Sequence, residues 1–211
     1  RSLFWSDWTE AEPEPLQEAS RRLLAAGQLA EAASAEVMIY LVHWYRGERE
    51  KATPHFERAT KLVEEAPKSP GKADVLTDLA RFAMVDDEDA KAFAIGREAL
   101  SMAEEFGLET VRARILNTLG VVRVRLGDPA GLADIERSIE ATVPGSPERL
   151  RGFINLASML ADTGDLKGSG DRYAEGLREA ERAGSSGPVR WIRVELFFIE
   201  HLTGRWDEAL A

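Results

Sequence analysis

The chain has 211 residues, is 44% hydrophobic and carries a formal net charge of -10, a length and composition that support one or two packed domains or one elongated array and exclude a disordered polar chain. It holds no cysteine, and its three histidines, His43, His55 and His201, lie far apart in sequence; disulfide staples and thiolate metal sites are excluded, and a reducing compartment fits. The acidic balance argues against nucleic acid, whose phosphates need concentrated Lys and Arg, and no apolar run approaches the roughly 18 residues that a membrane span requires.

The opening stretch RSLFWSDWTEAEPEP lacks the basic start and apolar centre of a secretory signal, so the expected location is cytoplasmic. Phe4, Trp5 and Trp8 stand outside any helical period, which sets residues 1–14 apart as an N-terminal aromatic and acidic segment. Apolar spacing then predicts helices over 15–26, 29–46, 49–66, 71–85, 88–106, 109–126, 130–142, 147–163, 168–183 and 188–203, and an eleventh opening near Trp206. In ETVRARILNTLGVVRVRL, for example, Val111, Ile115, Leu116, Leu119, Val122 and Leu126 recur at steps of three and four and make one helical face.

The breaks keep time. Gly47, Asp87, Gly127, Gly164 and Gly204 each sit in a short turn between helical stretches, spaced about 40 residues apart. Pro70, Pro147 and Pro188 keep the same beat, and Ser69 and Ser146 before the first two read as N-caps with Pro at N1. Each period therefore holds two helices joined by short turns, so neighbours pack antiparallel. The fold class expected is all-α, about five helical hairpins, with residues 15–211 as a single array. The chain stops at TGRWDEALA while a helix is opening, which reads as a cut from a longer array. The segment before it, PVRWIRVELFFIEHL, carries more apolar surface than one buried stripe needs, so its C-terminal edge is expected to be covered or to self-associate.

The residues then carry a resemblance. Leu119-Gly120 with Pro144, Leu156-Ala157 with Tyr173, Leu79-Ala80 with Ala92 and Ala99, and Ala52, Phe56 and Ala59 follow the tetratricopeptide frame, with Gly96 and Glu136 standing where an aromatic belongs. GREALSMAEEFGLETVRARILNTLG and HLTGRWDEALA resemble the helical repeat regions of large bacterial multidomain signalling ATPases of the STAND type, LuxR-type regulators and ATPase-linked nucleotidyl cyclases. The resemblance implies an α-α superhelix, a tetratricopeptide-like solenoid, whose inner wall is lined by the first helix of each pair. It puts Trp44, Tyr45, Arg81, Arg114, Asn117, Val121, Arg125, Arg151, Asn155, Trp191 and His201 on or near that wall.

Chemistry is sparse. The Walker pattern and the HExxH zinc pattern are absent. Ser169 in KGSGD lacks the spacing of a nucleophile elbow and falls at a helix start. The acidic turn VDDEDA opens a helix, where carboxylates are favoured. No catalytic residue, metal or cofactor is expected. The arginines of the wall admit two readings: a groove for an acidic or carboxylate-bearing segment, or pairing with acidic residues of adjacent helices. Trp44 and Trp191 are read first as packing residues and second as ligand anchors, and Trp206 as packing at a helix start. Gly168, Gly170 and Gly176 crowd one helix and are expected to soften it. The expected function is a non-catalytic protein- or peptide-interaction or sensor-scaffold module of a larger bacterial signalling or transcription-regulating protein. Its partner would be a protein or peptide segment, acidic in character, or other domains of the same parent chain. A stand-alone peptide-binding adaptor and a self-assembling helical scaffold are the alternatives.

Overall fold

Helix after helix in this chain ends on the same local device. Gly27, Gly47, Asp87, Gly107, Gly127, Gly164, Gly184 and Gly204 all take positive φ. At Gly47 its own N–H donates to Trp44 O at 3.0 Å, and the following Glu48 N–H reaches back to His43 O at 2.9 Å. This Schellman pairing satisfies the last carbonyls of the helix and turns the chain back. Glycine dominates the position because it has no Cβ to clash in the left-handed region; Asp87, at φ 58, is one of the few side chains that tolerate it.

The computed structural model describes residues 11–206, and these form α1 Pro13–Ala25, α2 Leu29–Tyr45, α3 Arg49–Glu65, α4 Pro70–Val85, α5 Asp89–Glu105, α6 Glu109–Arg125, α7 Gly131–Glu140, α8 Pro147–Asp162, α9 Leu166–Arg182 and α10 Ser186–Leu202. No strand occurs among the described residues. Every expected helix from the first to the tenth is present, with its ends moved by no more than two residues. The eleventh helix and the aromatic cluster of Phe4, Trp5 and Trp8 lie outside the described residues. Two helices start as their sequence asks: the Ser69 and Ser146 hydroxyls accept from Lys72 N and Arg149 N, with Pro70 and Pro147 in the first turn. The fold is an all-α array of antiparallel helical hairpins of the α-α superhelix class.

The chain forms two compact units, Arg1–Ile115 and Leu116–Ala211. In the first, α2 packs on α1, α3 and α4, and α4 packs on α5. Its core gathers Ile39, Val42, Leu79 and Phe82, with Tyr40 edge-on to Phe82 at 4.8 Å. In the second, α8 packs on α7 and α9, and α9 on α10; Ala157, Tyr173, Ile192 and Ile199 form a buried cluster there.

Small residues set how closely the helices approach. A Cβ on Gly120 of α6 would fall 2.6 Å from Gly131 O of α7, and one on Gly176 of α9 would fall 2.9 Å from Phe153 Cβ of α8. In the second helices Ala52, Ala92 and Ser169 fill one recurring slot, and Ala59, Ala99 and Gly176 another, all buried. The glycines of α9 are therefore not simple sources of softness. Gly168 lies against the carboxylate of its own cap, Asp165, and a Cβ on Gly170 would sit 3.3 Å from Ile199 Cγ2. At Gly176, where a Cβ would fall 2.9 Å from Phe153 Cβ, close approach reverses the gain that Ala would otherwise bring.

Two opposite substitutions in α9 follow. The Ser169 side chain is fully buried and its hydroxyl has no hydrogen-bond partner among the described residues, so Ser169→Ala, which restores the alanine of the equivalent slots, should raise stability by about 1 kcal/mol. Gly176→Ala should lower it by about 1–3 kcal/mol through overpacking against Phe153. Urea titrations of both variants check the signs, and a neutral Gly176→Ala would show that α8 and α9 separate freely.

Candidate functional site

Within each unit, polar side chains join first helices of successive pairs. α2 packs directly on α4. Arg114 of α6 donates through separate guanidinium nitrogens to Asp74 and Asp78 of α4, and Asn155 Nδ2 of α8 donates to Asn117 Oδ1 of α6 at 2.5 Å. These joints take up several residues that the sequence places on a ligand-facing wall. Arg114 keeps 11% side-chain exposure, and its partners Asp74 and Asp78 keep 15% and 24%. It is a strut between helices. Asn117 is fully buried and Val121 belongs to the core, so neither offers its side chain to a ligand.

What stays accessible in the first unit is an aromatic and cationic group. Trp44 and Tyr45, both half-buried near the end of α2, meet edge-on at 5.1 Å. The Arg49 guanidinium lies 4.9 Å from the Trp44 ring centre and also donates to Asp86 at 3.1 Å. Arg81 of α4 is half-buried with its guanidinium 5.4 Å from the ring centre of Phe82. This arrangement offers flat apolar area beside fixed positive charge, the combination that anchors side chains and carboxylates at interfaces. In the second unit Arg151 and Asn155 are half-buried on α8, while Arg125, Trp191 and His201 are exposed. Trp191 is 53% exposed and is not a core residue. His201 stacks between Phe197 and Trp206, at 6.4 Å and 6.0 Å. Trp206 is itself 62% exposed and donates its indole N–H to His201 O at 3.3 Å.

Sequence reasoning missed a buried network in the first unit. Glu36 of α2 is 2% exposed, accepts from Ser20 Oγ of α1 at 2.6 Å, and lies 2.6 Å from His55 Nδ1 of α3. Arg58 approaches the same carboxylate at 3.4 Å. Burial alone would raise the Glu36 carboxyl, but the hydrogen bonds from His55 and Ser20 and the charge of Arg58 outweigh it and hold the group below the ordinary glutamate range. An ionised carboxylate only accepts, so His55 Nδ1 carries the proton. His43, paired through Nδ1 with Glu48 at 2.6 Å, stacks on His55 with ring centres 5.8 Å apart. A surface depression of about 470 Å³ beside them is lined by Gln17, His43, Arg46, Lys51 and His55 among others. The signal was present: a glutamate inside the apolar run AEAASAEVMIY needs a partner. Among the described residues no group of three or more His, Cys, Asp or Glu side chains is placed to hold a metal ion, and no helix is long and apolar enough to cross a membrane.

Solved structures share this fold. BtubC (BKLC) from P. vanneervenii is similar with a TM-score of 0.70 at 16% identity, over 95% of this chain and 86% of that one. A Rap protein complexed with competence and sporulation factor is similar with a TM-score of 0.73 at 14% identity, over 88% of this chain and 55% of that one; this chain spans about half of its length. Pseudomonas aeruginosa pilF is similar with a TM-score of 0.51 at 16% identity, over 93% of this chain and 95% of that one. All three are tetratricopeptide-like helical repeat proteins, and at these identities the likeness is one of fold. No protein-family model and no curated protein matches the chain.

The two polar joints of the first unit make separate predictions. Arg114→Met strands two half-buried aspartates and should cost about 3 kcal/mol; adding Asp74→Ala and Asp78→Ala should return much of that loss, because the joint is then removed whole. Thermal melts of the single and triple variants distinguish a strut from a ligand-facing arginine, which would leave stability unchanged. Glu36 is held low in the folded state, so its stabilisation is complete above the ordinary glutamate value of 4.5 and is lost as pH falls through the lower folded value. Denaturation midpoints taken from neutral pH down through that range should fall more steeply for the parent chain than for Glu36→Gln. Parallel curves would remove Glu36 from the acid response.

Proposed function

We propose that this chain is a non-catalytic interaction module that binds segments of other proteins through its first helices. The observation that carries the reading is the group formed by α2, α3 and α4, where Trp44 and Tyr45 stand half-buried, Arg49 at the start of α3 lies over the Trp44 ring and Arg81 of α4 lies over Phe82. In a chain of net charge -10, cations held in place next to aromatic faces select segments that combine a carboxylate with an apolar anchor. Arg125, Arg151, Asn155, Trp191 and His201 give the second unit its own candidate surface. The fold it shares with a Rap protein complexed with competence and sporulation factor supports segment binding as a mode of action. The finer reading, taken from the resemblance in the sequence, is a regulatory module within a larger bacterial signalling or transcription-regulating protein. Residues 15–211 then form one continuous array, working in the cytoplasm on segments of other proteins or of the same parent.

Panning a randomised peptide-display library against the chain tests this. Enriched peptides should combine acidic and aromatic residues, and their binding should weaken with salt. Replacing Tyr45 with Ala or Arg81 with Glu should weaken a peptide bound at the first unit at least about tenfold while helicity is kept, a loss on the order of 1.4 kcal/mol. Failure to enrich any sequence class, or enriched peptides indifferent to these changes and to the corresponding Arg125→Glu, would sink the reading.

A further inference from the structure

A carboxylate already stands inside the group formed by α2, α3 and α4. Arg49 Nη1 donates to Asp86 Oδ1 at 3.1 Å, so the guanidinium that lies over the Trp44 ring holds an acidic side chain of its own chain. Asp86 is the C-cap of α4, an unfavourable place for it, because the partial negative charge of a helix C-terminus repels a carboxylate. The repeat does not ask for one: the C-caps of α2, α8 and α10 are Arg46, Thr163 and Thr203.

The contact is accessible and incomplete. Arg49 and Asp86 keep 60% and 39% side-chain exposure, whereas the side chains of the Arg114 strut keep between 11% and 24%; an ion pair open to water is weak and gives way readily to another partner. Beside it are two donors that Asp86 does not satisfy. Tyr40 is 4% exposed, and its hydroxyl is raised first by burial and then by the neighbouring Asp86 charge, yet it does not reach hydrogen-bond geometry with Asp86 or with any other described residue. The indole N–H of Trp44, one turn further along α2, is buried and equally without a partner. Buried donors left open cost free energy that a better-placed acceptor recovers. A carboxylate that is not tied to the α4 backbone is free to hold Arg49 and to approach these donors as well.

We propose that Asp86 is the resting occupant of this site, a built-in carboxylate that a carboxylate of the bound segment displaces, so that binding there is an exchange of partners at Arg49. The proposal rests on the segment-binding reading of the same group and adds to it the residue that sets selectivity: a segment with no carboxylate to offer Arg49 leaves Asp86 where it is.

Acetate is the smallest probe of the exchange, read on the Trp44 indole N–H in heteronuclear NMR spectra against chloride at equal ionic strength. In the parent chain Asp86, held at high effective concentration by the fold, should keep acetate out. In Asp86→Ala the signal should shift saturably with acetate, and in Asp86→Ala combined with Arg49→Ala it should not. An acidic peptide enriched by panning should bind Asp86→Ala several-fold to about tenfold more tightly than the parent chain. The same peptide with amides in place of its carboxylates should show no such gain, and the gain should vanish in the Arg49→Ala background. Helical circular dichroism should be unchanged throughout, since both side chains are at the surface. An Asp86→Ala chain that ignores acetate, or that binds the acidic peptide no more tightly than the parent, would overturn the proposal; if Arg81→Glu still weakens that peptide, segment binding at the site stands without it. Panning that enriches nothing sinks the segment-binding reading instead, and the acetate response then decides the exchange by itself.

Discussion

Everything in this fold depends on how near one helix backbone can come to the next. A helix in a hairpin array buries its face only against its neighbours, so the separation between axes decides how much apolar area leaves water. Glycine and alanine occupy the contact points: Gly120 against Gly131, Gly152 against Ile139, Gly176 against Phe153, and Ala52, Ala92, Ala59 and Ala99 in the recurring slots of the second helices. Once those slots are small, the larger residues beside them fall into place. Tyr173 is 2% exposed, pushed up to about 12 by burial, and bonds its hydroxyl to Ser158 at 2.8 Å. Gly96 stands in the matching position of α5, is buried, and carries no side chain at all. The array tolerates a missing aromatic there, whereas a Cβ at Gly120, Gly152 or Gly176 would meet a neighbouring atom closer than 3.0 Å.

Polar groups between the helices obey the same geometry. Two helices that pack this closely leave no room for water between them, so a charged side chain at the contact has to be answered from the facing helix. Glu36 is answered from both sides, by Ser20 and by His55 with Arg58. Asp74 and Asp78, one turn apart on α4, are answered by one arginine on the next first helix. Asp134, 3% exposed, is shared by Arg123 of α6 and Arg137 of its own helix. These joints add specificity where apolar contacts are non-directional. A helix that slipped by one turn would keep its oily face but lose its ion pair.

The helices and their ends are legible in the sequence because the signals are local. A left-handed residue, a proline at the first helical position and a face of apolar residues are each written within a few positions. The site is less legible because it depends on which side chain across the gap reaches which. Arg114 looks like a groove arginine until Asp74 and Asp78 stand opposite it, although a partner one period back on the adjacent first helix is what the repeat itself foretells. Glu36 and His55 lie 19 residues apart, on two helices with a turn between them, so no local spacing announces them. Tryptophan usually packs, yet Trp191 stands 53% exposed. Its apolar neighbours at three- and four-residue steps are visible in the sequence; which of the faces of α10 is already occupied is not.

The register of the first helices sets α10 apart. Moving one period on from α8 to α10, Arg151 becomes Trp191, Ile154 becomes Val194, Ser158 becomes Phe198 and Asp162 becomes Leu202. Three polar residues of one helix give way to apolar ones in the next, while the buried residues beneath serve the same purpose in both, since Ile192 fills against α9 much as Gly152 fits against Ile139 of α7. In α8 Ile154 packs against the Ala157 and Tyr173 cluster and Ser158 bonds the Tyr173 hydroxyl at 2.8 Å, so these register positions are where a first helix meets the second helix of its own pair. An exposed apolar side chain gains nothing in free energy until another surface covers it. The replacements therefore change what this face of the helix offers a neighbouring helix, from hydrogen-bonding groups to aromatic and aliphatic area.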